Sequence, residues 1–195
     1  MEQPWWQRLA RLSLRLRGWK LVGKLPPTRK YLIVGAFHTT NWDFPIALAI
    51  MGGLGIRPRW IGKDSLFRGA MGGVMHRLGG IPVVRGARRN FVAQVVDLYN
   101  RSHKLVIAIA PEGTRRFVDH WKTGFYYIAL GAKIPIAFGF ADYPRRVCGV
   151  GGYFTPSGDP DADLDVLRAF YADKVGKFPH QQGTIRFLPR KRASG

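Results

Sequence analysis

Cysteine, long apolar runs and metal-ligand spacings are scarce in this sequence, and each scarcity excludes a class of protein. Cys148 is the only cysteine, so the sequence offers no internal disulfide framework and no thiolate metal cluster, and a reducing compartment is the default. No uninterrupted apolar run reaches the roughly 18 to 20 residues that a membrane-spanning helix needs. The histidines show no ligand spacing. We therefore expect no membrane span, no metal site and no cofactor.

Acidic residues are also few, and 12 Asp and Glu stand against 31 Lys and Arg, for a formal charge of +19. Such a charge attracts polyanions, which makes nucleic acid, an anionic membrane surface and phosphorylated substrates the candidate partners. The length of 195 residues and the hydrophobic content of 46% fit one globular domain. We place that domain at residues 25–190, after an N-terminal helical segment at 1–24 and before a basic tail at 191–195.

Strand-like and helix-like segments alternate along the chain. This alternation predicts a single α/β domain whose mixed, largely parallel central sheet is flanked by helices. Apolar runs predict strands at 31–37, 57–62, 81–84, 104–110, 134–140, 146–151 and 184–188. Helical periodicity predicts helices at 65–78, 90–100, 121–133 and 161–175.

The segment from Pro4 to Lys24 carries an apolar stripe at helical spacing, and its arginines fall elsewhere. The pattern predicts a basic amphipathic helix, which can lie among lipid headgroups with its tryptophans at the apolar boundary and its arginines on anionic lipid. A surface helix packed on the domain's own core has the same pattern, and the sequence leaves both interpretations open. The residues of the predicted docking helix are Trp5, Trp6, Arg8, Leu9, Leu12, Leu16 and Trp19.

The stretch from His38 to Asp43 lies between a predicted buried strand and the start of a predicted helix. A histidine at the carboxyl end of a strand stands where ligands bind in open α/β sheets. Asp43, across a turn, can hold one imidazole nitrogen and leave the other free to accept a proton. No serine or cysteine lies nearby, so the nucleophile would be the substrate's own hydroxyl. The alternative is a structural histidine, with Asn41 or Asp43 capping the helix.

Three further segments come later in the chain, in the order 80–85, 111–115 and 134–138. Together with His38 and Asp43, they resemble the glycerophospholipid acyltransferase family, of which this chain would be a short form without transmembrane segments. In that family a His-x4-Asp motif supplies the base, and two later segments grip the phosphate of the acceptor. An apolar, proline-containing strand follows them. The resemblance covers about residues 30–140.

The resemblance implies roles for residues in these segments. Arg85 and Arg115 would bind the substrate phosphate through their planar guanidinium groups. Lys63 lies outside these segments, but it follows the second predicted strand and so would add a point charge at the same sheet edge. Glu112, Gly113 and Thr114 would bind or orient the substrate. Within this set Glu112 would accept a substrate hydroxyl or orient Arg115, and Thr114 would support the site as a hydrogen-bond donor. Ordinary solvated arginines, a Glu112 ion pair and a turn that needs Gly113 are the alternative interpretations.

The implied reaction transfers a fatty acyl group from acyl-CoA or acyl-ACP to the free hydroxyl of lysophosphatidic acid, giving phosphatidic acid. His38 would be the general base. Another lysophospholipid or a lyso-aminolipid is an alternative acceptor. A lipid-binding adaptor without catalysis would not need His38 and Asp43.

The expected partners are a lysophospholipid, an acyl donor and an anionic membrane surface. Acyl carrier protein is an expected partner where it carries the acyl group of the donor. We expect a cytoplasmic protein that associates peripherally with the inner face of the membrane. A nucleic-acid-binding protein is supported only by the charge, because no aromatic-rich strand motif, zinc spacing or helix-turn-helix pattern accompanies it. We expect no nucleic-acid partner.

Overall fold

Strands and helices alternate along residues 4–83 and 88–188, which are the residues that this computed structural model describes. The helices are α1 (Trp5–Leu16), α2 (Asp43–Leu54), α3 (Ala70–Arg77), α4 (Arg88–Arg101), α5 (Gly124–Ala132) and α6 (Pro160–Tyr171). The strands are β1 (Lys20–Gly23), β2 (Lys30–Gly35), β3 (Arg59–Lys63), β4 (Gly80–Val83), β5 (Leu105–Ile109), β6 (Ile136–Asp142) and β7 (Val147–Phe154). Short 3₁₀ turns lie at Asp64–Phe67 and Pro179–Gln181.

The strands form one sheet in the order β1-β7-β6-β2-β5-β3-β4. All neighbours pair in parallel except β6 and β7, which are joined by a short turn and run antiparallel. The prediction of a single α/β domain with a mixed, largely parallel sheet is confirmed. Because β2, β3, β4, β5 and β6 all run in one direction, their carboxyl ends meet at one edge of the sheet.

Helices cover both faces of the sheet, and the alternation of side chains along β2 shows how. Leu32 and Val34 point into a core that includes Tyr99 of α4, Phe125 of α5 and Leu167 of α6. Tyr31 and Ile33 point the other way, into a core that includes Leu14 of α1 and Ile50 of α2. A strand buried on both faces explains why its sequence is a continuous apolar run.

The predicted N-terminal helix is shorter than the sequence pattern indicated. It ends at Leu16, because Gly18 adopts a left-handed conformation with φ 74° and the Trp19 amide bonds back to the Leu14 carbonyl. The chain then forms β1, which pairs with β7 as an edge strand of the sheet. Trp19 is therefore 5% exposed and part of the core. The prediction that Trp19 docks on a membrane is wrong.

Helix α1 has a buried face and an exposed apolar face. The buried face packs on α2, where Gln7 and Arg11 donate to the Gly53 carbonyl and a Cβ atom at Gly52 would stand 2.9 Å from that of Ala10. The opposite face leaves four large apolar side chains exposed by 48–78%, and none of them belongs to either core. They are Trp5, Leu9, Leu12 and Leu16, and we call them the outer stripe.

The predicted last strand at 184–188 is absent from the described residues. This segment lies instead along residues 118–121, where the Thr184 amide bonds to the Val118 carbonyl and the Trp121 amide bonds to the Arg186 carbonyl. It finds its partners in another irregular segment rather than in a strand. The tail at 191–195 lies outside the described residues. None of the helices in the described ranges is long and apolar enough to cross a membrane.

Candidate active site

His38 and Asp43 lie together at the carboxyl edge of the sheet. His38 follows the end of β2, and Asp43 is the first residue of α2. The Nδ1 atom of His38 is 3.2 Å from Oδ2 of Asp43, and the two side chains are 26% and 12% exposed. Because Nδ1 faces the carboxylate, Nε2 is the nitrogen that remains to accept a proton. The predicted pairing of these two side chains is present in the structure.

Backbone amides fix the carboxylate of Asp43. Its Oδ2 atom accepts from the amides of Thr39 and Thr40, each at 2.8 Å, and it does not cap α2. Burial alone would raise the pKa of Asp43, but hydrogen bonds from His38, Tyr143 and the Thr40 amide outweigh burial and lower it. Asp43 is therefore held as a carboxylate that points at the imidazole, and helix capping does not explain its position.

Glu112 lies next to the backbone of His38. The parallel pairing of Val34 with Ile109 brings the end of β5 beside the end of β2. Oε1 of Glu112 accepts from the His38 amide at 3.2 Å, whereas Oε2 has no hydrogen-bond partner among the described residues. The side chain is 2% exposed, and burial raises the pKa of Glu112 to about 7.

The expected contact between Glu112 and Arg115 is absent from the described residues, and a contact with a substrate hydroxyl stays a prediction. The sequence predicted a carboxylate that meets a substrate hydroxyl or orients Arg115. In the described part of the chain, Glu112 forms no ion pair with Arg115, and its carboxylate accepts from the His38 amide. Glu112 therefore supports the backbone of the base.

The segment after Glu112 turns outward into solvent. Gly113 makes this turn possible with φ 64°, a left-handed conformation that favours glycine. Thr114 accepts a hydrogen bond from the Arg116 amide, so its hydroxyl stabilises the turn. Arg115 is exposed at the same sheet edge. Lys63 ends β3 there, but its side chain lies outside the described part of the structure, and Arg85 lies outside the described residues altogether.

A cavity of about 150 Å³ opens beside the His38 and Asp43 side chains, between the sheet and α2. Apart from these two residues, its lining side chains are apolar, and they include Ile50 and Met51 of α2 and Ala108 of β5. His38 therefore lies at the boundary between an apolar cavity and the sheet edge where Arg115 is exposed.

Two residues of the site carry no signal in the sequence. Tyr143, in the turn between β6 and β7, donates its hydroxyl hydrogen bond to Oδ1 of Asp43 at 2.7 Å. Thr39, buried beside the base, accepts from the Phe178 amide and so anchors the segment after α6 to the site. Both contacts join residues at least 100 positions apart, so no local motif could have shown them.

Among residues 4–83 and 88–188 there is no group of three or more His, Cys, Asp or Glu side chains that could hold a metal ion. What the site offers is a base paired with a carboxylate, an apolar cavity and exposed positive charge. This arrangement can deprotonate a hydroxyl group held near Nε2 of His38.

Comparisons with known proteins agree with this chemistry. The family model described as Acyltransferase matches residues 21–137. The crystal structure of the 1-acyl-sn-glycerophosphate (LPA) acyltransferase PlsC from Thermotoga maritima shares the fold with a TM-score of 0.54 and 16% sequence identity. That similarity covers 86% of this chain and 73% of the other. No protein of curated function matches the sequence. The family match spans more than half of the chain and includes His38, Asp43 and Glu112, and the chain therefore belongs to the acyltransferase family as an O-acyltransferase.

Proposed function

We propose that this protein transfers a fatty acyl group from acyl-CoA or acyl-ACP to the free hydroxyl of lysophosphatidic acid, giving phosphatidic acid. The observation that carries the proposal is the pairing of His38 Nδ1 with the Asp43 carboxylate at 3.2 Å, next to an apolar cavity. That pairing leaves Nε2 of His38 as the base.

In the proposed reaction the acceptor hydroxyl attacks the carbonyl carbon of the thioester, and Nε2 of His38 takes its proton. Asp43 stabilises the imidazolium that forms, as the carboxylate does in other His–Asp pairs. The tetrahedral intermediate then collapses, the C–S bond breaks, and the departing thiol takes the proton from the imidazolium. The histidine returns to its starting state, so atoms and charge balance without a cofactor.

The exposed positive charge at the sheet edge supports a phosphate-bearing acceptor. Arg115 is exposed, and no described carboxylate pairs with it. A planar guanidinium can bind a phosphate monoester through two hydrogen bonds. We assign Arg115 to the phosphate of the acceptor, and we propose the same role for Lys63 and Arg85.

The apolar cavity supports a fatty acyl donor as the second substrate of the reaction. Its lining side chains are apolar except for His38 and Asp43, so an acyl chain placed in it would bring its carbonyl carbon to the base. Burial of apolar surface there would stabilise binding by about 25 cal/mol for each Å² removed from water.

The outer stripe of α1 supports binding to a membrane, from which the enzyme would take its lipid substrates. Trp5, Leu9, Leu12 and Leu16 form an exposed apolar surface, and Arg8 and Arg15 lie to one side of it. Interfacial helices bury such a stripe among headgroups while basic side chains meet anionic lipid. We propose peripheral association with the cytoplasmic face of the membrane.

The first experiment tests the base. His38→Ala and Asp43→Asn should each lower the rate of acyl transfer by on the order of 10² to 10⁴, the usual contribution of general base catalysis. Circular dichroism should show an unchanged fold for both variants. His120→Ala is the matched control, because His120 also contacts an aspartate but lies at an exposed position away from the cavity. Full activity of the His38 variant would refute the mechanism.

The second experiment tests the acceptor. The purified protein is incubated with one labelled acyl donor and a panel of lysophospholipids, and the products are identified by mass spectrometry. Phosphatidic acid as the main product supports the proposal. Preferential acylation of a lysolipid whose phosphate is a diester would assign the same chemistry to another acceptor.

A further inference from the structure

Tyr143 connects the turn between β6 and β7 to the catalytic carboxylate. Its hydroxyl donates to Oδ1 of Asp43 at 2.7 Å, and the other oxygen of Asp43 faces His38. We propose that Tyr143 is a positioning residue that sets how the charge of Asp43 acts on His38. The inference rests on the proposed function of His38 as a base.

The division of contacts between the two oxygens of Asp43 carries the argument. Oδ2 meets the Thr39 and Thr40 amides and the imidazole, whereas the Tyr143 hydroxyl is the one side-chain group of the described residues that hydrogen-bonds to Oδ1. The amides fix where Oδ2 stands, and the hydroxyl fixes the rotation of the carboxylate about that point. A hydrogen bond to a charged oxygen also draws negative charge toward Oδ1, away from the imidazole.

The surroundings of Tyr143 keep its hydroxyl in this place. The ring packs edge-on against Trp19 with centroids 5.1 Å apart, and the Tyr143 amide bonds to the Val175 carbonyl at 2.9 Å. The guanidinium of Arg146 lies over the Trp19 ring. Tyr143 is thus held between Trp19, which lies between α1 and β1, and the segment that follows α6.

Tyr143 also remains a donor at neutral pH. Burial, followed by the hydrogen bond to Asp43, raises the pKa of Tyr143, so its hydroxyl stays protonated. The other titratable groups that face these residues are Glu112, whose charge acts on both His38 and Asp43, and Cys148 beside Tyr143. Burial raises the pKa of Cys148 to about 12, so its thiol stays neutral.

Tyr143→Phe tests the proposal because it removes the hydroxyl and keeps the ring on Trp19. We expect kcat to fall by roughly 10-fold, with little change in KM, because the Asp43 carboxylate loses the hydrogen bond that fixes its rotation and no longer holds the imidazole in place. Without the hydroxyl, more of the Asp43 charge acts on the imidazolium and stabilises it. The acid limb of the kcat/KM profile should therefore move to higher pH.

A second measurement needs no substrate and so stands apart from the proposed function. In ¹⁵N-histidine-labelled free enzyme, with the signal assigned by its loss in His38→Ala, the titration of the His38 ring should move to higher pH in Tyr143→Phe. In an Asp43→Asn background the same change should have no effect, because Tyr143 acts through Asp43. An unmoved titration in Tyr143→Phe, or a shift that survives in the Asp43→Asn background, would overturn the proposal.

Tyr99→Phe is the matched control. Tyr99 is another buried tyrosine, but its hydroxyl donates to the Tyr31 carbonyl at the opposite end of β2. We expect a lower Tm and an unchanged His38 titration in this variant. An equal titration shift in both variants would mean that lost stability is the cause, and the positioning role would be refuted. If the titration shifts only in Tyr143→Phe and no lysophospholipid is acylated, the proposed function fails and the positioning role stands.

Discussion

Replacing Glu112 with glutamine should make the protein more stable at neutral and alkaline pH. Burial raises the pKa of Glu112 from an ordinary 4.5 to about 7, so the folded protein keeps a proton that the unfolded chain releases. Between these two pH values the folded state binds more protons than the unfolded state, and stability falls as pH rises. Glutamine keeps an oxygen that can accept from the His38 amide, but it has no charge to bury.

The magnitude follows from the two pKa values. They differ by about 2.5, and each unit corresponds to about 1.4 kcal/mol. We therefore compare the free energies of unfolding of Glu112→Gln and of the unchanged protein. Their difference should rise by about 3 kcal/mol in favour of the variant between about pH 4.5 and pH 7, and it should stay constant above pH 7. Below that range Glu112 is protonated in both states, so the variant gains nothing from the missing charge.

The assay is denaturant unfolding of both proteins at a series of pH values and at constant ionic strength. Titrating groups on which the charge of Glu112 does not act are common to the two proteins and cancel in the difference. Asp165→Asn provides the control, because this side chain is 73% exposed and water stabilises its charge, so no comparable gain is expected. A difference between Glu112→Gln and the unchanged protein that stays flat across the whole series would refute the conclusion that a buried charge forms at Glu112.

Three further predictions concern substrates and the membrane. Replacing Leu9, Leu12 and Leu16 together by serine should weaken cosedimentation with anionic liposomes while the fold is kept. Val166→Ser is the control, because Val166 is exposed on α6, and it should not weaken binding. Equal binding by the two variants would exclude the outer stripe as the membrane-binding surface. Arg115→Gln should raise KM for a phosphate-bearing acceptor by roughly 10-fold or more in steady-state assays, and Arg116→Gln should leave KM unchanged. Equal effects of the two substitutions would show that the positive charge of this segment attracts the phosphate without a specific contact from Arg115. Ala47→Phe places a larger side chain in the apolar cavity and so reduces its volume. In an assay in which acyl donors of different chain lengths compete, this variant should prefer shorter chains than the unchanged protein does. An unchanged preference would show that the acyl chain binds outside this cavity.

Much of the fold follows from patterns that the sequence carries locally. The apolar run after Lys30 and the one after Lys104 predict strands buried on both faces, and the helical periodicity between them predicts the covering helices. The parallel direction of these strands then places His38 and Glu112 at one edge. The prediction succeeded there because burial of both faces leaves a strong signal in each segment alone.

The N-terminal segment shows where such local reasoning fails. Trp19 has the helical spacing of the outer stripe, but Gly18 ends the helical path before it, and the ring joins the core beside Tyr143. A single left-handed glycine outweighs periodicity, because it reverses the chain and lets residues 20–23 pair with β7. The segment 184–188 is apolar like a strand, yet it lies against residues 118–121.

The sequence by itself predicted the layered α/β architecture and a possible contact of Asp43 with His38, because these follow from the periodicity of single segments and from a spacing of five residues. Tertiary structure alone decided that Glu112 is buried behind the base and that Tyr143 binds the second oxygen of Asp43. Those contacts span 74 and 100 positions of sequence. They arise where the ends of separate strands meet, and no spacing within a segment encodes that meeting point.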